Sequence, residues 1–309
     1  RTLEALPAIS DNGATFLCKL QKGVFFADDT AFQGKPRELT AADYAYSLKR
    51  LLDPAVKSPW LFLVEGKIIG GDEARAAAAK TGKFDYDTPM PGFEVVDRYT
   101  LRIRLKAPDY NFAYLLAMPA TGASAREAVE RYGLDYGSSP VGTGAYQLLR
   151  SEYKRASKTV LVKNPNYRKR VWDWASDAAE DQAMVKAMRG KAVPSIDRIE
   201  VYPIEEGQAS WLAFLSGQHD YLPILPASVS NVAKSEGKLK PEYAQQGIRL
   251  FPRMKPNVWY TMFNMNDPIT GGYTREKIAL RRAISLGYPL DEQIRVVFQG
   301  DGLAGKGIV

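Results

Sequence analysis

The sequence predicts a mixed α/β fold of the α+β kind, on three observations. Apolar and polar residues alternate in several short runs, the period of a strand with one buried face. Most of these runs fall in pairs across a turn, as hairpins, rather than in regular strand-helix-strand units. Between them lie stretches with helical apolar spacing, each opened by a capping or acidic residue and most closed by Gly or Pro.

Taken in order, "ATFLCKLQKGVFF" (14–26) reads as one or two strands broken at Gly23, followed by the polar loop "ADDTAFQGKPREL". Thr40 then caps a helix, with Asp43 in its first turn where the helix dipole favours a negative charge. Tyr44, Leu48, Leu51 and Leu52 form its buried face, and Asp53-Pro54 stops it. "GDEARAAAAK" (71–80) is a short alanine-rich helix, and "DTPMPG" (87–92) a loop fixed by two prolines. "GFEVVDRYTLRIRLKAP" gives a hairpin turning at Asp97-Arg98, with Leu101, Ile103 and Leu105 on one face.

"SAREAVERYG" is a helix capped by Ser124 and ended by Gly133. Beyond it "GAYQLLRSEY" and "KTVLVKNPNY" form two strands, the second ended by the turn Asn164-Pro165-Asn166. A long polar interval (168–193) precedes the strand "IDRIEVYPI". A helix through Ala209, Leu212 and Leu215 ends at Gly217, and a short strand starts at Asp220. From about 250 comes a strand "NVWYTMFNMN", a Gly-Gly loop, a helix from Thr274 through Ile278 and Ala283, and a helix started by Asp291. The closing "AGKGIV" forms no terminal element, so truncation is expected there and at the start.

At 309 residues and 45% apolar, the chain can bury one large core or two ordinary ones. The longest uncharged apolar runs, "WLFLV" and "WLAFL", fall far short of the roughly 20 residues of a membrane helix. The chain opens on Arg1 with no basic-then-apolar leader, so a signal segment is expected to have been removed or to lie outside this stretch. Cys18 is the one cysteine, which excludes an internal disulfide and a multi-cysteine metal site; within the alternating "ATFLCKL" it reads as a plain strand residue.

The net charge of +7 and pI near 9.2 fit nucleic acid, an anionic membrane or plain solubility. The densest basic stretch, "KRASKTVLVKNPNYRKR" (154–170), centres on an apolar strand with its charges at the flanks, so a solvated strand-and-turn region outweighs a nucleic-acid groove. "SSPVGTGAYQLLR" (138–150) sets Gly142 and Gly144 one residue apart. A phosphate loop would need further glycines, a lysine and a following helix. Here a strand follows, so the stretch reads as a turn in which the glycines permit backbone angles or close packing that a side chain forbids.

Catalytic constellations are absent. His219 is the only histidine, which excludes a multi-histidine metal site and leaves a Ser/His/Asp triad only with His219 as base. It has no nucleophile elbow to serve. Asp28-Asp29, Glu205-Glu206 and Asp85 with Asp87 lie in loops or at helix starts, where capping and solvation explain them. A non-enzyme without cofactor or metal is expected. The competing readings are a basic nucleic-acid-binding module and a hydrolase using His219.

Six stretches, in order, carry a resemblance: "LQKGVFFADD", "LTAADYAYSLKRLLDP", "VVDRYTLRIRL", "SSPVGTGAYQLL" with "VLVKNPNYR", "IDRIEVYPI" with "WLAFLSGQHDY", and "FNMN" with "LRRAISLGYPLDEQIRVVFQG". Together they resemble the family 5 extracellular solute-binding proteins of ABC transporters, which include the oligopeptide and dipeptide receptors. The resemblance implies a two-lobed fold of the periplasmic-binding-protein kind, closing on ligand by a hinge. It places 1–26 and 141–250 in lobe I, 27–140 in an extra subdomain, and 251–309 at the start of an incomplete lobe II. It implies an extracytoplasmic monomer, periplasmic or at the cell surface, that captures a solute, an oligopeptide or dipeptide first among the choices. The receptor would hand that solute to membrane permease subunits.

The pocket residues so implied are Tyr221 and Leu222, past the "GQHD" turn, and Trp259, Tyr260, Thr261 and Phe263 on the strand entering lobe II. Large ligand sites are apolar and aromatic with a few polar groups, and strand alternation would set Trp259, Thr261 and Phe263 on one side. Packing in a core is the competing role for that face. One departure stands out: the family's frequent Asp-Arg after the "RRAIS" helix is here Pro289-Leu290-Asp291.

Overall fold

The computed structural model describes residues 2–235, 237–252 and 257–305. The chain divides into two compact units, Arg1–Pro203 and Ile204–Val309.

In the first unit, β1 (Ala8–Ser10), β2 (Thr15–Lys19), β3 (Phe93–Asp97) and β4 (Thr100–Arg104) form an antiparallel sheet in the order β1-β2-β4-β3. Register sets Phe16 opposite Ile103 and Cys18 opposite Leu101, so the buried side chains of β2 and β4 share one face. Burial pushes the Cys18 thiol up to about 11, as expected of a strand cysteine packed in hydrocarbon. The expected hairpin is present, with Leu101, Ile103 and Leu105 all buried.

Helix α1 (Ala41–Leu52) covers this face with Leu48, Leu51 and Leu52. Its start is fixed as the sequence predicts: the Asp43 carboxylate accepts from the Thr40 N–H at 2.7 Å. Arg37 then clamps Asp43 at 2.6 Å, which makes a buried carboxylate tolerable. Helix α2 (Gly71–Thr81) ends at Gly82, whose φ of +75° suits a residue without Cβ. In the proline loop before β3, a Cβ on Gly92 would stand 2.3 Å from Ile68 Cγ2, so this glycine admits a neighbour that no side chain would.

Two short helices follow, α3 (Phe112–Leu115) and α4 (Arg126–Tyr132). The cap of α4 is Ala125, not Ser124; the Ser124 N–H instead donates to Ser47 Oγ of α1 at 2.7 Å, which ties the entry of α4 to α1. Gly133 ends the helix as expected.

The turn reading of 138–150 stands, but its reason changes. Neither Gly142 nor Gly144 has a positive φ, and a Cβ on Gly144 would meet nothing nearer than Tyr146 O at 3.7 Å. The segment is held by its carbonyls instead: Gly142 O accepts from the Ala27 N–H and Gly144 O from Asn164 Nδ2, each at 2.9 Å. Asn164 is buried, and its Oδ1 also accepts from the Asn166 N–H, closing the Asn-Pro-Asn turn.

Beyond this turn come β5 (Tyr146–Leu148) and β6 (Thr159–Lys163). The polar interval is not structureless: β7 (Arg170–Val171) pairs with β8 (Ala192–Val193), and α5 (Gln182–Met188) lies between them. Strands of two residues and a helix with Val185 as its buried residue leave little apolar periodicity to read. β9 (Arg198–Val201) completes an antiparallel sheet in the order β5-β6-β9.

The second unit holds α6 (Gly207–Leu215), α7 (Ala227–Ala233), a β10 (Lys234–Ser235) and β11 (Lys238–Leu239) pair, α8 (Pro241–Gln245), α9 (Arg275–Leu286) and α10 (Leu290–Val296). Its core is Trp211, Val229 and Ala233, with Phe214 and Tyr243 rings against the indole at 5.8 and 5.4 Å. Trp211, rather than Leu212, is the inward residue of α6. That helix is apolar around most of its circumference, so periodicity could not select the face, and the largest side chain took it.

Two expected strands are absent here among the described residues. After Asp220, Pro223 and Pro226 remove ladder donors, and 257–266 has no strand paired beside it. Helix α9 begins as predicted, with Thr274 Oγ1 accepting from the Lys277 N–H. Helix α10 starts one residue before Asp291, which lies in its first turn. Residues 306–309 of the closing "AGKGIV" lie outside the described residues, and no described helix is long and apolar enough to cross a membrane.

Candidate functional site

All six sequence-predicted pocket residues fall in the second unit. Leu222 packs against the Trp211, Val229 and Ala233 cluster, which fixes the loop between α6 and α7. Its chain neighbour Tyr221 is exposed, so this loop offers an aromatic ring beside an anchored residue. Trp259, Tyr260 and Thr261 are exposed, and Phe263 is half-buried. Without a strand at 257–266, the expected shared side of Trp259, Thr261 and Phe263 loses its basis. The Trp259 ring lies 6.1 Å from Phe298, just past α10, and no hydrogen bond or ring contact joins any two of the six among the described residues.

Chemically, these are aromatic and aliphatic surfaces with three hydroxyls, those of Tyr221, Tyr260 and Thr261, and the Trp259 indole N–H, suited to contact rather than to proton transfer. His219 is half-buried in the loop that carries Tyr221. Among the described residues no group of three or more His, Cys, Asp or Glu side chains could hold a metal ion. The loop after 264 is braced by Asp267, which accepts from Thr270 and Ile269. These bonds hold its carboxyl below the usual carboxylate value.

Sequence reasoning missed a buried polar cluster in the first unit. Asp29 accepts from the Tyr132 hydroxyl at 3.0 Å, from the Ala31 N–H at 2.8 Å and from Arg150 Nη2 at 2.8 Å. Arg150 also stacks 4.5 Å above the Tyr132 ring. A loop, the end of α4 and the end of β5 are tied together this way. The capping expected of Asp29 is present in its bond from the Ala31 N–H, but the sequence did not show its buried pairing because those partners lie 103 and 121 residues away.

The first unit also carries an open groove of about 740 Å³, lined by Lys49, Tyr86, Met90 and Phe93 with Arg37, Arg104 and Arg126. Its arginines are neutralised by Asp43, Glu94, Asp87 and Glu130. Lys49 Nζ donates to the Tyr86 and Thr88 carbonyls at 2.9 and 2.8 Å, and burial pulls its pKa down. The groove is braced internally and does not include any of the six predicted residues.

Known proteins share sequence and fold with this chain. The glutathione-binding protein GsiB of Escherichia coli (strain K12) is 34% identical over 140 residues, 45% of this chain and 22% of that protein. The protein of the same name from Salmonella choleraesuis is 35% identical over the same shares. Among solved structures, OppA of Burkholderia pseudomallei superposes with a TM-score of 0.53 at 21% identity, covering 75% of this chain and 38% of its own. Listeria monocytogenes OppA bound to peptide gives 0.54 at 20%, covering 77% and 40%.

The chain thus spans about two fifths of the length of those structures, and the likeness fixes a mixed α/β fold of the oligopeptide-binding type. The family model for bacterial extracellular solute-binding proteins, family 5, matches residues 2–309. With the fold and the length of that match in agreement, the chain belongs to the family 5 bacterial extracellular solute-binding proteins.

Proposed function

We propose that the chain is part of an extracytoplasmic receptor of an ABC importer, which captures a peptide in a cleft between two lobes and delivers it to membrane permease subunits. The match of the family model over residues 2–309 carries this reading. It is supported by the glutathione-binding relatives, glutathione being a small peptide, and by the peptide-bound structural neighbour. In this reading 1–26 and 141–250 belong to lobe I, 27–140 to its extra subdomain, and 251–309 to lobe II. The receptor acts as a monomer without cofactor, and Tyr221, Leu222, Trp259, Tyr260, Thr261 and Phe263 face the ligand.

Exposed aromatic side chains favour this role physically. Tyr221, Trp259 and Tyr260 have large apolar faces with polar handles and no internal partner for most of their area, the composition of a site that grips a peptide through stacking and a few hydrogen bonds.

Thermal melting of the intact protein with a panel of di- to pentapeptides and glutathione tests the proposal. A ligand that binds only the folded form at a hundred times its Kd adds about 2.7 kcal/mol of stability, so a clear rise in Tm is expected with at least one peptide. Melting unmoved by the whole panel, at concentrations up to several millimolar, defeats it.

A further inference from the structure

We propose that the β7, α5 and β8 excursion is a docking surface for an anionic phospholipid membrane. Arg170, Lys186, Arg189 and Lys191 are exposed, and none of them has an ion pair or side-chain hydrogen bond among the described residues. The neighbouring sheet is different: Lys158, Lys163 and Arg198 are each paired with Glu152, Asp197 or Glu200. Unpaired cations therefore concentrate on the excursion, while the sheet beside it is internally neutralised.

Backbone pairing brings these cations against aromatic and aliphatic surface. The Trp172 N–H donates to Lys191 O at 2.8 Å and the Gly190 N–H to Trp172 O at 3.1 Å, which sets the end of α5 beside β7. Trp172 in turn meets Trp174 edge-to-face at 6.1 Å. Trp174 is 47% exposed and Val171 54%. Lys186 lies in the last turn of α5 and Arg189 is the residue that caps its C-terminal end, its N–H donating to Val185 O. The acids of the same stretch, Asp173, Asp177, Glu180 and Asp181, precede the helix, and Asp181 is occupied by the Ser176 hydroxyl.

Cations beside an exposed indole and an aliphatic side chain match the chemistry of a membrane interface. Lipid phosphates attract the ammonium and guanidinium groups, the indole sits at headgroup level, and the aliphatic group reaches the acyl boundary. A nucleic acid would satisfy the cations and could stack on Trp174, but it offers nothing to Val171. The inference does not depend on which solute the receptor binds.

Co-sedimentation of the intact protein with vesicles tests it. Binding is expected to phosphatidylglycerol–phosphatidylcholine vesicles, to weaken with salt, and to be absent with phosphatidylcholine alone. Each cation near such a surface contributes about a fivefold factor, so the triple variant Lys186→Gln, Arg189→Gln, Lys191→Gln is expected to lower partitioning about a hundredfold with Tm unchanged. Trp174→Ala is expected to lower partitioning by a factor that salt does not alter. Absent binding, equal binding to both vesicle types, an unaffected triple variant, or retention on a single-stranded oligonucleotide but not on vesicles would each overturn the proposal.

Discussion

Asp29 and Arg150, 121 residues apart in sequence, are joined at 2.8 Å, with the aspartate side chain 2% exposed and the arginine 37%. The asymmetry of burial decides what the pair does. Arg150 can be hydrated if its partner is lost, whereas Asp29 would be left charged in the interior with only Tyr132 and Ala31 to support it.

Arg150→Met is therefore expected to destabilise the protein more than Asp29→Asn. The first is expected to cost about 3 kcal/mol, toward the low end for breaking a buried pair because one partner is part-exposed. The second is expected to cost about 1–2 kcal/mol, since the amide retains an acceptor for the Ala31 N–H. Denaturant midpoints of the two variants check the order, and equal losses would show that the pair behaves as a surface bridge.

Two glycines should respond in opposite ways. Gly144→Ala is expected to change stability by less than about 1 kcal/mol, because its φ is ordinary and its Cβ would have only a 3.7 Å neighbour. Gly92→Ala drives a methyl to 2.3 Å from Ile68 Cγ2 and 2.5 Å from Ile69 O, and is expected to cost roughly 3 kcal/mol or to abolish folding. Expression and melting of the pair provide the measurement.

Trp259 separates binding from folding. Its side chain is 83% exposed, so Trp259→Ala is expected to leave stability within about 0.5 kcal/mol. If Trp259 faces the ligand, peptide affinity should fall at least about tenfold by calorimetry, the size of an aromatic hot spot. Unchanged affinity would remove Trp259 from the site.

Acid should loosen the β6–β9 side of the sheet. Hydrogen bonds from Arg198 and then Lys158 hold the Glu152 carboxyl near 2, and those from Tyr202, Arg198 and Lys158 do the same for Glu200, against an ordinary 4.5. A carboxylate with a lowered folded-state pKa contributes stability above its unfolded value and loses it as pH falls through the folded one. The Tm difference between the wild type and the Glu152→Gln, Glu200→Gln variant should thus be present at about pH 5, shrink progressively below the ordinary 4.5 and be small by about pH 2. A difference as large at pH 2 as at pH 5 would assign it to something other than titration.

Local signals were legible wherever one residue's partners lie nearby in sequence. The Thr40 and Asp43 cap, the α4 stop at Gly133, the hairpin around Asp97 and the Asn164 turn are satisfied within a few residues. Errors arose where a distant group outbid the local one. Asp29 found its partners Tyr132 and Arg150 103 and 121 residues away, and Asn164 explained Gly144 by its carbonyl rather than by its missing side chain. The candidate site was legible only as aromatic residues in two loops. The alternation of "NVWYTMFNMN" suggested a strand, but a strand needs a neighbour to take its backbone bonds, and no sequence window contains that neighbour.

By itself the sequence determined the mixed α/β class, the family and the order of most elements, because periodicity, capping and residue inventory are properties of the chain. Tertiary structure alone decided that Asp29 is a buried anchor, that Trp211 rather than Leu212 faces the core, and that the cations of 170–191 have no ion pair among the described residues while those of β6 and β9 are neutralised. The physical reason is the same in each case. Burial and pairing depend on which groups fold to within a few ångströms, and those groups are separated along the chain by distances no local pattern encodes.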